Sequence, residues 1–368
     1  MPQVLSRLAL NRATLARQML LQREETTALD ALTRLAGLQA QVAKPPYLGL
    51  WTRLASFRRE ELRDLLQRRQ AVRATAMRGT LHLMTAADYV RLRPTLQPML
   101  TGAMTSVLRQ RADTLDVPAL VETAREFFDA SPRTFTALRA HLMERFPDGD
   151  ERAMGFAVRT HMPLVMVPND SPWGYPADSD FAVARTWLGE PINGPERVEE
   201  LVRGYLVAFG PATIADAQTW SGLKGLKAAF EALRRELVTF RDTNGRELFD
   251  LPDAPRPSEE TAAPVRFLPE YDNLVLAHAD RSRLIADEYR PRIVTRNLKV
   301  LATFLVDGLV AGTWKIERKG KAATLILEPF EALAAPIREA LADEGLRALQ
   351  FCEEDAQTFD LKIESPAA

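Results

Sequence analysis

The 368-residue chain has a single cysteine, Cys352, so it cannot close an internal disulfide. Its four histidines, His82, His141, His161 and His278, are too scattered for zinc-ligand spacing, and no metal or other cofactor is expected. No run of about 18 uncharged apolar residues occurs, and the N-terminus is polar and basic where a signal peptide needs an apolar core. Neither a membrane span nor a secretory leader is expected, which points to a cytoplasmic protein. Net charge nearly vanishes at −1, while 46% hydrophobic and 26% charged residues are ordinary globular usage. That excludes a disordered or fibrous chain and allows roughly two to four modules of about 100 to 150 residues.

The small net charge hides a gradient. Residues 1–100 hold 16 Lys and Arg against 7 Asp and Glu, a balance of +9, whereas residues 301–368 hold 7 against 12, a balance of −5. Lys44 is the only lysine of the first hundred residues. Guanidinium forks suit phosphates and planar anions better than ammonium groups do, so a polyanionic partner is one reading. An arginine-rich solvated helix surface is the other.

Apolar spacing predicts three short helices in the first hundred residues, around Leu15–Leu20, Ala28–Leu38 and Leu62–Leu66. Residues 71–84, AVRATAMRGTLHLM, then alternate like a strand broken at Arg78-Gly79, a β-hairpin or wing. Helices closed by a small hairpin describe a winged helix. From Val117 onward a helix, a Ser-Pro turn, a helix starting near Thr134 and an extended apolar run repeat this grammar. A third pass follows through Gly210-Pro211, a helix capped by Thr213 and the hairpin signal Asn244-Gly245. Ala254–Pro264, rich in proline and acid, reads as an exposed linker. Beyond it, strands are expected at residues 265–268, 274–277, 301–306, 309–316 and 322–327, then a helix over 331–349 and an acidic tail strand. The expected fold is α+β: tandem winged-helix modules at 1–100, 101–185 and 186–256 around a C-terminal antiparallel β-rich scaffold at 257–368.

The segment Leu35–Leu54, LAGLQAQVAKPPYLGLWTRL, holds Gln39 and Gln41 where a helix gives way to a Lys-Pro-Pro loop. Both amides can then point into one cleft. From spacing alone the pair also reads as two exposed polar residues at a helix end, and Gln-x-Gln is too short to be specific.

The surrounding sequence adds to this. AGLQAQ with PPYLGLWTRL, MRGTLHLMTAADY (Met77–Tyr89), FGPATIADAQTWSGL (Phe209–Leu223), LPEYDNLVLAHADRSRLI (Leu268–Ile285) and VDGLVAGTWKI (Val306–Ile316) together resemble the AlkZ-like DNA glycosylases, bacterial winged-helix proteins. The resemblance covers nearly the whole chain in order. It implies three tandem winged helices with a concave basic surface for duplex DNA, and a catalytic signature of glutamine, an apolar residue, then glutamine or aspartate. Gln39, Ala40 and Gln41 match the two-glutamine form. The implied activity is excision of alkylated purines, especially cationic N7 adducts, and unhooking of interstrand crosslinks.

Neutral catalytic residues make sense for that chemistry. A purine made cationic at N7 is already a good leaving group, so what remains is an oxocarbenium-like sugar and a water to attack it. Glutamine amides can orient that water and offer dipoles without removing a proton. Arg73, Arg78 and His82 on the hairpin, with Lys44 and Arg53, are candidates for DNA contact. Tyr47 and Trp51, with Glu270, Asp272 and Asn273, are candidates to line the lesion cleft, although aromatics after a Pro-Pro turn and polar residues at a strand end also serve as core and caps. His278, Asp280 and Arg281 read as an internal hydrogen-bonded corner. A monomer acting on double-stranded DNA is expected. A non-enzymatic DNA-binding regulator or damage-recognition protein is the alternative, since winged helices are mostly regulator modules.

Overall fold

Helix starts in this chain are marked by short oxygen-bearing side chains. Ser6, Thr27, Thr85, Asp116, Thr134, Asp150 and Thr213 each precede a helix and accept a hydrogen bond from a backbone N–H of its first turn. Between these caps, the computed structural model describes residues 3–366.

Strand β1 (Val4–Leu5) and helix α1 (Arg7–Arg17) precede a first unit of α2 (Ala28–Arg34), β2 (Leu38–Gln39), α3 (Pro45–Trp51), α4 (Arg59–Gln67), β3 (Ala71–Thr75) and β4 (Leu81–Thr85). The long α5 (Ala86–Leu108) leads to a second unit: α6 (Val117–Ala130), β5 (Arg133–Thr134), α7 (Phe135–Arg145), α8 (Glu151–His161), β6 (Leu164–Met166) and β7 (Asp180–Val183). After the short α9 (Ala184–Leu188), a third unit runs through α10 (Val198–Phe209), α11 (Ile214–Ser221), α12 (Lys227–Leu233), β8 (Val238–Asp242) and β9 (Glu247–Asp250).

All three units follow one order: a helix, a short extended stretch, two helices and a hairpin. The extended stretch pairs with the second hairpin strand each time, giving β2-β4-β3, β5-β7-β6 and Ala212-β9-β8. Thr134 and Thr213, matched in the sequence repeat, cap the same helix of this order. The Asn244-Gly245 turn joins β8 to β9 with Gly245 at φ 79°, a left-handed conformation that suits glycine. Pairing of Ala74 with Val165 fuses the first two units into one six-stranded sheet.

The C-terminal part holds β10 (Arg266–Leu268), α13 (Arg290–Ile293), β11 (Thr303–Val306), β12 (Leu309–Lys319), β13 (Ala322–Pro329), α14 (Ala335–Cys352) and β14 (Thr358–Ile363). Its five strands lie in sequence order, antiparallel except for the parallel pair β13 and β14. The whole is a mixed α+β fold.

Three local expectations are corrected. The Lys-Pro-Pro segment is no loop, because Pro45 and Pro46 occupy the first turn of α3, where a missing N–H costs nothing. Leu274–Ala277 is not a strand. Asp272 Oδ1 accepts from the Leu274 N–H at 2.9 Å, winding Asn273–Val275 into a 3-10 turn. The first hundred residues also contain more helix than expected, since α5 runs on through Pro94 and Pro98, four residues apart and so on one face.

The N-terminal segment docks far from its neighbours in sequence. β1 pairs with β8 in parallel. Arg17 grips both carboxylate oxygens of Asp250 at 2.6 and 2.8 Å and the Leu206 carbonyl at 2.9 Å. The Asn11 amide donates at 2.8 Å to the carbonyls of Arg283 and of Gly308. Gly308 has φ 76°, and a Cβ there would lie 2.5 Å from Leu15, so only glycine fits. The linker Ala254–Pro264 is irregular and largely exposed as expected, yet its Thr261 carbonyl accepts from Arg12 at 2.7 Å.

Asp250→Ala leaves the buried Arg17 cation, and Arg256 beside it, without their carboxylate. Urea unfolding is expected to register a loss of about 3–5 kcal/mol. A loss below about 1 kcal/mol would show that Asp250 does not anchor the N-terminal helix.

Candidate active site

Gln39 and Gln41 lie on and just after a two-residue strand, not at a helix end. Gly37, at φ 82°, turns the chain out of α2; a Cβ there would meet the Met84 side chain at 2.9 Å. β2 then pairs antiparallel with β4, placing Gln39 opposite His82, and the Ala40 N–H reaches the Leu81 carbonyl at 2.7 Å. Alternation along an extended chain buries Leu38 and Ala40 and puts both glutamines on the other face. Gln39 is only 8% exposed, whereas Gln41 is open to solvent.

Each amide is pinned at its oxygen. Gln39 Oε1 accepts from Arg78 Nη2 at 2.8 Å, and Gln41 Oε1 accepts from the Leu81 backbone N–H at 2.9 Å. Both donors lack any acceptor function, so chemistry alone decides which end of each amide faces them. The loop's main chain is held too, since Arg73 donates to the Ala40 carbonyl at 2.8 Å and to the Gln41 carbonyl at 3.0 Å. Arg78 spans further, its second terminal nitrogen donating to the Trp220 carbonyl at the end of α11. Arg73, Arg78 and His82 are thus gathered around the two glutamines, but as a scaffold.

Several sequence expectations are corrected here. Arg53 cannot touch DNA because it is 0% exposed: it donates to both oxygens of Asp272, at 2.9 Å each, to the Gly49 carbonyl at 2.9 Å and to Gln18. Arg73 spends its guanidinium on the two loop carbonyls and the face of Tyr175, so it is no phosphate contact. His82 is fully buried. Tyr47 and Trp51 do not line a cleft: Tyr47 packs edge-on against Trp173, and Trp51 stacks on Phe351 at 5.6 Å beneath Arg23. Asp272 and Asn273 are buried, the former on Arg53 and the latter donating to the Gly37 carbonyl at 3.0 Å. Lys44 and Glu270 meet elsewhere, around a cavity of about 380 Å³ that Val42, Leu48 and Trp314 also line. There Lys44 pairs with Glu353 at 2.5 Å and Glu270 with Lys299 at 2.7 Å. The corner at His278 forms as expected, its Nε2 3.1 Å from the Phe209 carbonyl and Asp280 capping Ser282. Sequence reasoning missed the Leu81 N–H and the Trp220 carbonyl, since main-chain partners leave no side-chain signature.

A family profile described as "DNA glycosylase AlkZ-like" matches residues 32–351. The chain belongs to the AlkZ-like DNA glycosylase family. An interstrand DNA cross-link repair glycosylase of Streptomyces sahachiroi is 28% identical over 348 residues, spanning 85% of this chain and 88% of that relative. The solved structure of the Streptomyces sahachiroi DNA glycosylase AlkZ shares the fold, with a TM-score of 0.79 over 98% of this chain and 100% of that one, at 22% identity. DNA is accordingly the partner of this AlkZ-like chain. The match takes in both glutamines, the β3–β4 hairpin and α11, and begins after α1. Among the described residues no helix is long and apolar enough to cross a membrane.

The electrostatics of this AlkZ-like site are dominated by a cation, Arg78, bonded to Gln39, and among the described residues no carboxylate hydrogen-bonds to either glutamine. Burial, and then the nearby Arg281, lowers the Arg78 pKa to about 10, so the guanidinium is still charged at neutral pH. His82 is pushed down to about 3, by burial first and by Arg78 second, and is neutral there. Folding therefore holds His82 unprotonated, while the unfolded chain protonates it near its ordinary 6.5. The stability this represents is present above pH 6.5 and lost as pH falls toward 3, with a limiting slope of about 1.4 kcal/mol per pH unit. Urea titrations across that window are expected to show the decline in the wild type and a flatter one in His82→Asn. An identical slope in the variant would refute the assignment.

Proposed function

We propose that the protein is a monofunctional DNA glycosylase that hydrolyses the N-glycosidic bond of N7-alkylated, cationic purines and unhooks interstrand crosslinks, with Gln39 and Gln41 positioning the attacking water. The observation that carries this is the pair of glutamine amides on one face of an extended segment, each pinned at its oxygen. No carboxylate hydrogen-bonds to either glutamine among the described residues, so the site has no evident general base. That suits a substrate whose leaving group already bears a positive charge and needs no strong acid or base. A carbonyl oxygen has two lone pairs. With one taken by the protein, the other is free to accept from a water, while the NH₂ groups donate to sugar or phosphate oxygens. The water is then held in place in the transition state by dipoles that need no reorganisation. The name of the Streptomyces sahachiroi relative supports the crosslink part of this reading.

We read each repeated unit as a winged helix, the β3–β4, β6–β7 and β8–β9 hairpins being the wings, at about residues 1–100, 101–185 and 186–256, with the β-rich part from 257 as scaffold. Strand order and the position of the capping threonines support it. Three such units in one chain supply an extended DNA surface, which favours a monomer.

Incubation with a duplex carrying one N7-methylguanine, followed by alkaline cleavage, tests the chemistry. The wild type is expected to yield the abasic-site break, and Gln39→Ala/Gln41→Ala to lose at least about 100-fold in rate with duplex binding intact. Binding without a break by either protein would favour the DNA-binding alternative. Reaction type is tested separately. Lys44, the lysine nearest the glutamines in sequence, is tied to Glu353 and lies 5.4 Å from the Trp173 ring, so it is not poised as an amine nucleophile. Borohydride is expected to trap no covalent protein–DNA adduct; a trapped adduct would make the enzyme a lyase.

A further inference from the structure

Resting on the reading of Gln39 as a water-positioning residue, we propose that Arg78 is a positioning residue that sets the Gln39 amide and makes its orientation depend on the docking of the third unit. Three observations carry this. First, a guanidinium only donates, so its 2.8 Å bond to Gln39 Oε1 turns the amide one way round and leaves Nε2 without a protein partner among the described residues. The charge also polarises the amide, strengthening Nε2–H as a donor. Gln41, whose oxygen faces only a neutral peptide N–H, is not biased in this way.

Second, Arg78 is itself held in an unusual conformation. It has φ 56°, in a tight turn closed by hydrogen bonds from Gly79 N–H to the Ala76 carbonyl at 3.0 Å and from Thr80 N–H to the Met77 carbonyl at 3.1 Å. A left-handed arginine is strained relative to glycine and persists only where its surroundings hold it there. Glycine would relieve the backbone at 78 but would supply neither of the two bonds the guanidinium makes.

Third, the other end of the fork reaches across to the third unit. Its Nη1 donates to the Trp220 carbonyl, and α11 ends two residues later at Gly222, φ 81°, where a Cβ would lie 3.2 Å from Arg78 Cα. Glycine at 222 is what lets the two turns approach. The side-chain hydrogen bonds of Arg78 go to neutral oxygens, although a buried cation is usually given a carboxylate. A carboxylate there would compete with Gln39 for the guanidinium. Arg78 thus bridges the glutamine strand and the end of α11.

Single-turnover release of N7-methylguanine, duplex affinity and thermal stability measured for Arg78→Gly and Arg78→Lys decide the matter. Glycine suits the left-handed turn, and lysine keeps the charge but cannot bridge two acceptors with a planar fork. Arg78→Gly is expected to slow base release about 100-fold and Arg78→Lys about 10-fold, with duplex Kd within about threefold of wild type. About 20 mM guanidinium, against a matched sodium chloride control, should recover about 10-fold in Arg78→Gly and nothing in Gln39→Ala. In the Gln39→Ala background, Arg78→Gly should cost nothing further, because the two act as one unit. Full-rate release by Arg78→Gly overturns the proposal. So does a loss that appears as weaker duplex binding at unchanged rate, which would make Arg78 a phosphate contact, or failure of both variants to fold, which would make it a structural anchor. If Gln39→Ala itself releases base at the wild-type rate, the underlying reading of Gln39 fails instead.

Discussion

The paired bonds between Arg53 and Asp272 are the constraint on which the rest of the molecule hangs. Arg53 follows α3, directly after the glutamine strand, and Asp272 opens the turn that leads out of β10. Both side chains are dry, so each charge is tolerable only because the other is there. Such a pair adds little net stability compared with a well-packed apolar contact, but it discriminates sharply among arrangements, because every alternative leaves a naked charge inside. Gln18 and the Gly49 carbonyl take further bonds from the arginine's two terminal nitrogens. One guanidinium therefore registers α3, the N-terminal segment and the C-terminal sheet against each other. Asn273, the next residue, extends that registration to the Gly37 carbonyl at the mouth of β2.

Rigidity of this kind suits amide side chains, which act through oriented dipoles and do not themselves titrate. The glutamine segment is held by main-chain pairing with β4, by Arg73 on its carbonyls and by Arg78 and the Leu81 N–H on its side chains. A flexible amide would spend its dipole on averaging, whereas a fixed one delivers it in one direction. The neighbouring histidine, buried and neutral, adds packing without a competing charge.

Much of the local structure was legible in the sequence, and much of the site was not. Thr134, Thr213 and Asn244-Gly245 announce helix starts and a hairpin because capping and turning are decided by side chains within a few residues. Gln39 and Gln41 were legible as a pair, but the strand that carries them is two residues long and exists only through β4. The surplus of arginine in the first hundred residues misled in a specific way. Arg12, Arg17, Arg53 and Arg73 are all spent inside the protein, on Asp307, Asp250, Asp272 and loop carbonyls. All three of those carboxylates lie more than 200 residues away in sequence, a separation no local pattern encodes. Residue type foretold that these side chains would bind oxygen, but not whose.

The docking of α1 has a consequence for how the chain is made. Its partners Leu206, Asp250, Arg283 and Gly308 are translated some 190 to 300 residues after it. Until the ribosome reaches the third unit this helix has no place to bind, and its apolar residues Leu10 and Leu15 stay uncovered. The six-stranded sheet can assemble during synthesis, but the molecule closes only when the strand pair around Asp307-Gly308 has emerged. Contacts of such long sequence separation form slowly. The strand pair around Asp307-Gly308 is the last of these partners to be made, so chaperone binding to the nascent chain is best sought at α1.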